Sequence, residues 1–173
     1  MKRFLAPVIC AAAFLAAPVS AYAVEGDCEA GMIAKALMSP QANIYGGGAE
    51  LYFAYDALDG LSFHVAAGFY AGHELELDKT MGLYNIRLGF MYALDILTWV
   101  PAVGIHFSEL LSESGDQPWT NNYNGWAIDF DAQVEYRGIR NVGIGLHFTY
   151  HLVFTNDDYM TAGISVSWHS DSF

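Results

Sequence analysis

Six histidines and 19 acidic residues are the groups in this chain best suited to acid–base or metal chemistry. His147 and His151 lie four residues apart, and imidazoles are common zinc ligands. On a β-strand that spacing separates them by about 13 Å, so one ion would need help from neighbouring strands. His106 and Ser108 lie two residues apart and would share a strand face, as a serine and its activating base must. The spacings leave open a metal site, a nucleophilic pair and a simple polar interior.

The elements that must position these groups are strands, because apolar and polar residues alternate with a period of two. Between Trp126 and Tyr136 every even position is apolar, and the odd positions carry Asp129, Asp131 and Glu135. Similar alternation covers residues 47–55, 61–69, 84–92, 103–107, 142–152 and 160–168. An eighth strand is expected near Met32 to Met38, with unclear facing. The pattern predicts an all-β chain, an eight-stranded antiparallel up-and-down transmembrane β-barrel, with strands of about 9–12 residues.

The predicted connections alternate in length. Residues 56–60, 95–99 and 137–141 are short, whereas 71–80 and 109–123 are long and acidic. Outer-membrane barrels have short periplasmic turns and longer outer loops, so the long connections are expected outside. The acidic residues predicted for these outer loops are Glu74, Glu76, Asp78, Glu109, Glu113, Asp116, Asp157 and Asp158.

The apolar face is expected to point outward, towards lipid. Only Lys35 and Lys79 are lysines beyond residue 23, and the polar face is rich in glycine, which suits a crowded lumen better than a solvated surface. Aromatic residues near the strand ends favour two interfacial girdles. These residues are Tyr55, Phe69, Tyr92, Trp99, Trp126, Tyr136, Tyr150 and Trp168. The alternative is a soluble barrel with its apolar face inside.

With the apolar face outward, the polar face lines a lumen that eight strands leave just wide enough for side chains, so no open pore is expected. Buried charges must be paired or neutralised, and Arg87 is the one fixed cation expected there. The predicted lumen network consists of Glu50, His64, Arg87, His106, Asp129, Asp131, Glu135, His147 and His151. A packed polar lumen is preferred to a metal site, and neither a metal nor another cofactor is predicted.

The first 23 residues have the pattern of a secretory signal peptide. Lys2 and Arg3 precede an apolar stretch, and Ala21 and Ala23 fit the positions that a signal peptidase reads. The expected domains are therefore a signal peptide at 1–23 and a barrel at 24–173. The mature chain would keep five Lys and Arg against 19 Asp and Glu, a net charge of −14, which disfavours nucleic-acid binding. Cys28 would be its single cysteine, without an internal disulfide partner.

The signal peptide, the eight alternating strands and the terminal Phe173 together resemble small outer-membrane barrels of the OmpA transmembrane-domain, OmpX and OmpW types. The stretch from Tyr92 to Gly104 looks like the fourth turn and fifth strand of that group. The resemblance implies a bacterial outer-membrane location and insertion by the barrel-assembly machinery, which reads a terminal Phe. The chain departs from the terminal pattern at His169 and Asp171.

The function expected is a structural or surface-interaction role, not enzymatic, in a monomer that contacts outer-membrane lipids and lipopolysaccharide. One alternative is a barrel that passes small solutes. Another is a lipid A-modifying enzyme, since lipid A deacylases of this architecture use a His-x-Ser pair with a carboxylate, and His106, Ser108 and Glu109 are similar to that set. The pair would face the lumen, however, whereas a lipid substrate arrives from outside.

Overall fold

A computed structural model describes residues 27–41, 43–58, 60–76, 78–94, 98–114, 125–154 and 157–170. The predicted signal peptide, Asp116 and the terminal Phe173 lie outside these ranges. Within them, no helix is long and apolar enough to cross a membrane.

Eight strands form one closed antiparallel barrel in which each strand pairs with its neighbour in sequence and β1 pairs with β8. The strands are β1 Cys28–Ser39, β2 Ile44–Leu58, β3 Leu61–Glu74, β4 Lys79–Ala93, β5 Trp99–Ser114, β6 Gly125–Ile139, β7 Val142–Val153 and β8 Tyr159–Ser170. Closure leaves no edge strand with unpaired backbone groups, as a wall in hydrocarbon requires. The predicted fold class is confirmed.

The seven strands whose facing was predicted point as the alternation indicates. Apolar side chains on the exterior include Leu51, Ile86 and Leu146, each at least 60% exposed. Polar residues such as Glu50 and His151 on the opposite face are fully buried. The structure also settles β1, whose inward positions are Ile33, Lys35 and Leu37.

Aromatic side chains pair on the exterior near both ends of the apolar band. Trp99 contacts Tyr136 near the end that holds the chain termini, with ring centroids 5.1 Å apart. Phe107 and Trp126 stack at 5.0 Å nearer the long connections. These contacts lie where the predicted girdles place amphipathic rings.

Tight connections close the hairpins at the terminal end. Arg140 and Asn141 alone join β6 to β7, and Asn141 adopts a φ of 59°. Gly60, between β2 and β3, has a φ of 74°. Asparagine and glycine tolerate this left-handed backbone best, so the residue types suit the turns.

The strands run 12–16 residues, longer than predicted, and this corrects the position of several loop acids. Glu74 is the last residue of β3, and Glu109 and Glu113 lie on β5. The backbone groups of paired strands continue to bond one another beyond the apolar band, a gain that does not depend on side-chain polarity. The hairpins therefore extend past the point at which the apolar alternation stops.

Candidate functional site

The lumen is filled in three layers along the barrel axis. Near the long connections it is apolar, in the middle it holds charged and polar side chains, and near the termini it holds a second charged cluster. All nine residues predicted for the lumen network lie on inward-facing strand positions. The structure does not bring them into one group, because Glu135 belongs to the cluster near the termini and His147 contacts Ser165 instead of the central charges.

The guanidinium of Arg87 lies at the centre of the middle layer. Its Nη2 is 3.0 Å from Glu50 Oε1, and its Nη1 is 2.9 Å from Asp131 Oδ1. The sequence predicted Arg87 as the one fixed cation of the lumen, and this is wrong. Lys35 also points into the lumen, with its Nζ 3.1 Å from Glu50 Oε1. Thr149 joins the two cations, accepting from both at 3.3 Å and donating to Asp131 at 2.7 Å.

Two histidines form a line outward from Asp131. His106 donates from Nδ1 to Asp131 Oδ2 at 2.6 Å, and its Nε2 lies 3.1 Å from His64 Nδ1. A neutral His106 with its proton on Nδ1 can accept a hydrogen bond at Nε2 from His64 Nδ1. Both hydrogen bonds can therefore form without a charged imidazole. His64 also stacks on Tyr52, with ring centroids 5.0 Å apart.

A second His–Asp pair lies beside this line. His151 Nδ1 is 2.8 Å from Asp129 Oδ1, which also accepts from Ser108 at 3.0 Å. The imidazole stacks on Tyr159 with centroids 3.9 Å apart. His151 and His147 therefore have separate partners and do not share a site.

The middle layer is close to electrically balanced. Lys35 and Arg87 face three carboxylates, those of Glu50, Asp129 and Asp131, and all five side chains are no more than 7% exposed. The two cations thus offset all but one of the three negative charges. Mutual compensation of this kind is what buried charges require.

An apolar layer closes the lumen towards the long connections. Leu83 and Leu110 are among its members, with relative exposures of 4% and 3%. The full cluster consists of Leu37, Ile44, Tyr70, Met81, Leu83, Leu110, Ala127, Val153 and Tyr159. We refer to it as the apolar plug. Sequence reasoning missed it, because these inward positions are as apolar as the exterior ones and their residue types do not reveal their facing.

A charged cluster lies in the lumen near the termini. Arg137 Nη2 is 3.0 Å from Glu29 Oε2 and 3.2 Å from Glu135 Oε2. His169 Nε2 is 2.7 Å from Glu135 Oε1, and its Nδ1 is 3.5 Å from Glu29 Oε2. Ser167 donates to Glu135 from the same strand as His169. We refer to Glu29, Glu135, Arg137 and His169 as the terminal cluster, of which the sequence had indicated only Glu135 as a lumen residue.

The sequence held a clue to Lys35 and Glu29, because both share the odd parity of β1. A lysine at the lipid-facing midplane costs about 2–4 kcal/mol, so the strand must turn that face inward. The facing of β1 was unclear from the sequence because Ile33 and Leu37, on the same face as Lys35, are apolar.

The loop acids differ in their exposure. Asp78 is 95% exposed and lies 3.4 Å from His73, while Glu76 accepts from Asn43 at 2.6 Å. Asp158 has a structural role, since its carboxylate accepts from Tyr150 and from the backbone of Val153. Asp157 is exposed.

His106 and Ser108 have different hydrogen-bond partners. Ser108 donates to Asp129, and both nitrogens of His106 are engaged by Asp131 and His64. Both side chains are buried in the packed lumen, at 2% and 1% exposure. Glu109 lies on the opposite face of β5 by strand parity, so it cannot complete a triad with them.

No family model matches the chain, and no curated protein sequence does either. Solved structures do match. Neisserial surface protein A superposes with a TM-score of 0.63 at 16% identity, over 84% of this chain and 96% of that one. The outer membrane protein OprG from Pseudomonas aeruginosa gives 0.62 at 10% identity, over 89% of this chain and 100% of that one. The outer membrane enzyme PagL gives 0.51 at 14% identity, over 80% and 98%.

The fold is therefore that of the small eight-stranded β-barrels of the bacterial outer membrane. Identities this low show a shared fold and no more. The fold is used by an enzyme and by surface proteins alike, so function must be argued from the lumen and the loops.

Proposed function

We propose that this chain is an outer-membrane barrel with a structural role and no open pore. The observation that carries the proposal is the filled lumen. The apolar plug occupies one end, and the ion pairs of Arg87 and Lys35 occupy the middle. A solute would have to displace both, and the ion pairs could be broken only by exposing unpaired charge in a poorly solvated interior.

A membrane role is supported by the exterior. Large apolar side chains cover it on every strand, and such a surface is far larger than the patch that a soluble monomer exposes. In lipid the same surface would contact acyl chains and the lipid portion of lipopolysaccharide.

Location is tested by fractionation combined with gel mobility. The full chain should sediment with the outer membrane and should migrate faster unheated than boiled in SDS, because a closed barrel resists the detergent. A protein recovered in the soluble periplasmic fraction would refute the proposal.

The closed lumen is tested in planar bilayers with the refolded chain. A known porin is reconstituted in parallel as the reference. We expect no discrete conductance steps from this chain at the voltages at which the porin is open. Reproducible steps in preparations of the folded chain would favour the alternative of a small-solute channel.

A surface-interaction role is the second candidate, and the exposed carboxylates of Asp78, Glu76 and Asp157 support it. Carboxylates are the usual calcium ligands, and divalent cations bridge lipopolysaccharide phosphates. Calorimetry of the refolded chain with CaCl₂ tests this role. Heat that disappears in a triple Asp78→Asn, Glu76→Gln, Asp157→Asn variant would support it, and no heat from the parent chain would eliminate cation binding by the loops.

The enzyme alternative rests on the likeness in fold to PagL and on the His-x-Ser spacing. The separate partners of His106 and Ser108 argue against it. Mass spectrometry of lipid A from cells that express the chain should show an unchanged acyl pattern, and a lost acyl chain would overturn this assignment.

A further inference from the structure

The terminal cluster contains the donor set of a metal site. One imidazole nitrogen of His169 and one oxygen from each of Glu29 and Glu135 lie within 4.8 Å of one another. A nitrogen with two carboxylate oxygens suits a divalent transition metal, because zinc takes imidazole and carboxylate ligands, whereas calcium and magnesium prefer oxygen alone. We propose that Glu29, Glu135 and His169 bind a divalent ion of the zinc class inside the barrel near its termini.

The candidate ligand atoms lie near the spacing that a zinc ion needs. Ligand atoms about 2.0–2.1 Å from a tetrahedral zinc are about 3.3 Å apart. His169 Nε2 and Glu135 Oε1 lie 2.7 Å apart, and His169 Nδ1 and Glu29 Oε2 lie 3.5 Å apart. These two contacts use different ring nitrogens of His169, and one nitrogen alone would bind the ion. The imidazole or the Glu29 side chain would therefore have to turn until both carboxylates face the same nitrogen, which would leave a fourth position for water.

Neighbouring side chains that would not bind the ion hold the ligands in place by hydrogen bonds, as is usual around metal sites. Tyr52 donates to Glu29 Oε1 at 2.5 Å, and Ser167 donates to Glu135. Glu135 is 1% exposed and the other two ligand side chains are 13% and 16% exposed, so the group is enclosed but lies near the mouth of the lumen. An ion could therefore enter from the terminal end.

Gly143 supplies the space that this arrangement needs. A Cβ added at this position would overlap the carboxylate of Glu135 and the hydroxyl of Ser167. An alanine at this point of β7 would push the Glu135 carboxylate and the Ser167 hydroxyl out of their present positions. This offers a test variant that moves a ligand without removing one.

Arg137 contacts both carboxylates, and its side chain is 31% exposed. It leaves one negative charge uncompensated when His169 is neutral. A bound cation and Arg137 would repel each other at this range. The presence of Arg137 therefore predicts that its removal strengthens metal binding, the reverse of what removing a ligand would do.

The site joins three strands. Glu29 and His169 are direct partners across the β1–β8 pairing that closes the barrel, and Glu135 reaches them from β6. An ion held there would bind the first strand to the last. Because it binds the folded chain alone, it would stabilise the closed barrel.

The experiment is a titration of the refolded full chain in detergent with ZnCl₂ against a chromogenic chelator, with CoCl₂ absorption as a second readout. We expect one ion per chain and a tetrahedral cobalt spectrum. We expect affinity to fall at least about tenfold in Glu135→Gln, His169→Gln and Gly143→Ala, and to rise in Arg137→Gln. The matched control is His73→Gln, which removes a histidine beside an acid on the exposed side, and it should bind as the parent does.

Every variant is first shown to be folded by heat-modifiable gel mobility, and the zinc-induced rise in its thermal midpoint is then measured with and without EDTA. A rise in the parent that is absent in His169→Gln supports the site. Four results would overturn the proposal: no binding by the folded parent, equal binding of calcium, full affinity in the folded His169→Gln variant, or weaker binding in Arg137→Gln. The last would contradict the repulsion expected between Arg137 and a bound cation.

Discussion

At the scale of single residues, Arg87 bears most of the electrostatic balance of the lumen. Its two terminal nitrogens contact Glu50 and Asp131, and a third carboxylate, Asp129, lies 3.8 Å away. Its Nε atom has no hydrogen-bond partner among the described residues. Arg87 thus forms two close ion pairs while its Nε–H donor has no acceptor among the described residues.

Replacing Arg87 by Met should destabilise the barrel by about 3–5 kcal/mol, because Lys35 alone would then face three buried carboxylates. Urea unfolding in detergent micelles or vesicles measures the change. The control is Arg140→Met in the exposed β6–β7 turn, where the loss should be about 0–1 kcal/mol, because even a paired charge contributes little at an exposed position. Equal stability of Arg87→Met and the parent would show that the network contributes nothing.

Asn85 should behave in the opposite way. It is 2% exposed, and neither its amide nitrogen nor its amide oxygen has a hydrogen-bond partner among the described residues. An unpaired buried polar group costs about 1–3 kcal/mol, so Asn85→Leu should leave stability unchanged or raise it.

Thr149→Val provides the matched comparison for Asn85→Leu. Thr149 makes three hydrogen bonds in the same layer, so its loss should destabilise the barrel by about 1–3 kcal/mol. The two substitutions are compared by the same urea titration. If Asn85→Leu proves the more harmful of the two, the assignment of their hydrogen bonds is wrong.

At the scale of strands, the two faces differ in what they tolerate. Leu146 lies on the exterior of β7 and is 65% exposed, while Leu58 lies at the end of β2 and is 58% exposed. The two exposures are similar but the expected surroundings differ, since Leu146 would contact the middle of the bilayer and Leu58 its edge.

Leu146→Arg should therefore reduce the stability of the vesicle-inserted barrel by about 2–4 kcal/mol, and Leu58→Arg by about 0–1 kcal/mol. The fraction that acquires heat-modifiable mobility after refolding into vesicles, followed against urea, gives both values. Similar losses at the two positions would contradict the assignment of this surface to lipid.

The strands were readable from sequence because one face had to be uniformly apolar. Seven of them revealed their facing through that face alone, as with the run from Trp126 to Tyr136. β1 did not, because Ile33 and Leu37 are as apolar as the outward Met32 and Met38. A period-two pattern carries no facing information when both faces are apolar.

The lumen was only partly readable, for a different reason. Parity places a residue on a face, but it does not say which side chains meet across the barrel. Glu29, Arg137 and His169 come from three strands, and His169 meets Glu29 only because β8 closes against β1 in this register. The membership of the terminal cluster therefore depends on strand stagger, which local sequence does not encode.

At the scale of the whole molecule, the barrel changes character along its axis. In the middle of the barrel the exterior is apolar and the lumen holds charged side chains. Towards the long connections the lumen becomes apolar through Leu83, Leu110 and their neighbours. The same strands therefore enclose ion pairs in the middle of the barrel and apolar packing towards the long connections.

The burial of Lys35 and Arg87 has a practical result for protein chemistry. Beyond residue 23 the chain offers trypsin five bonds, after Lys35, Lys79, Arg87, Arg137 and Arg140. The first and third are inside the lumen wall, where a protease cannot bind the side chain. We expect the folded barrel to survive trypsin concentrations that cut the boiled chain completely, with any early nick after Arg140 in the exposed β6–β7 turn, as mass spectrometry of the fragments would show. Tryptic digestion of intact cells followed by mass spectrometry would therefore underestimate the amount of this protein. Chymotrypsin, which cleaves after aromatic residues, would be the better enzyme for quantifying the denatured chain.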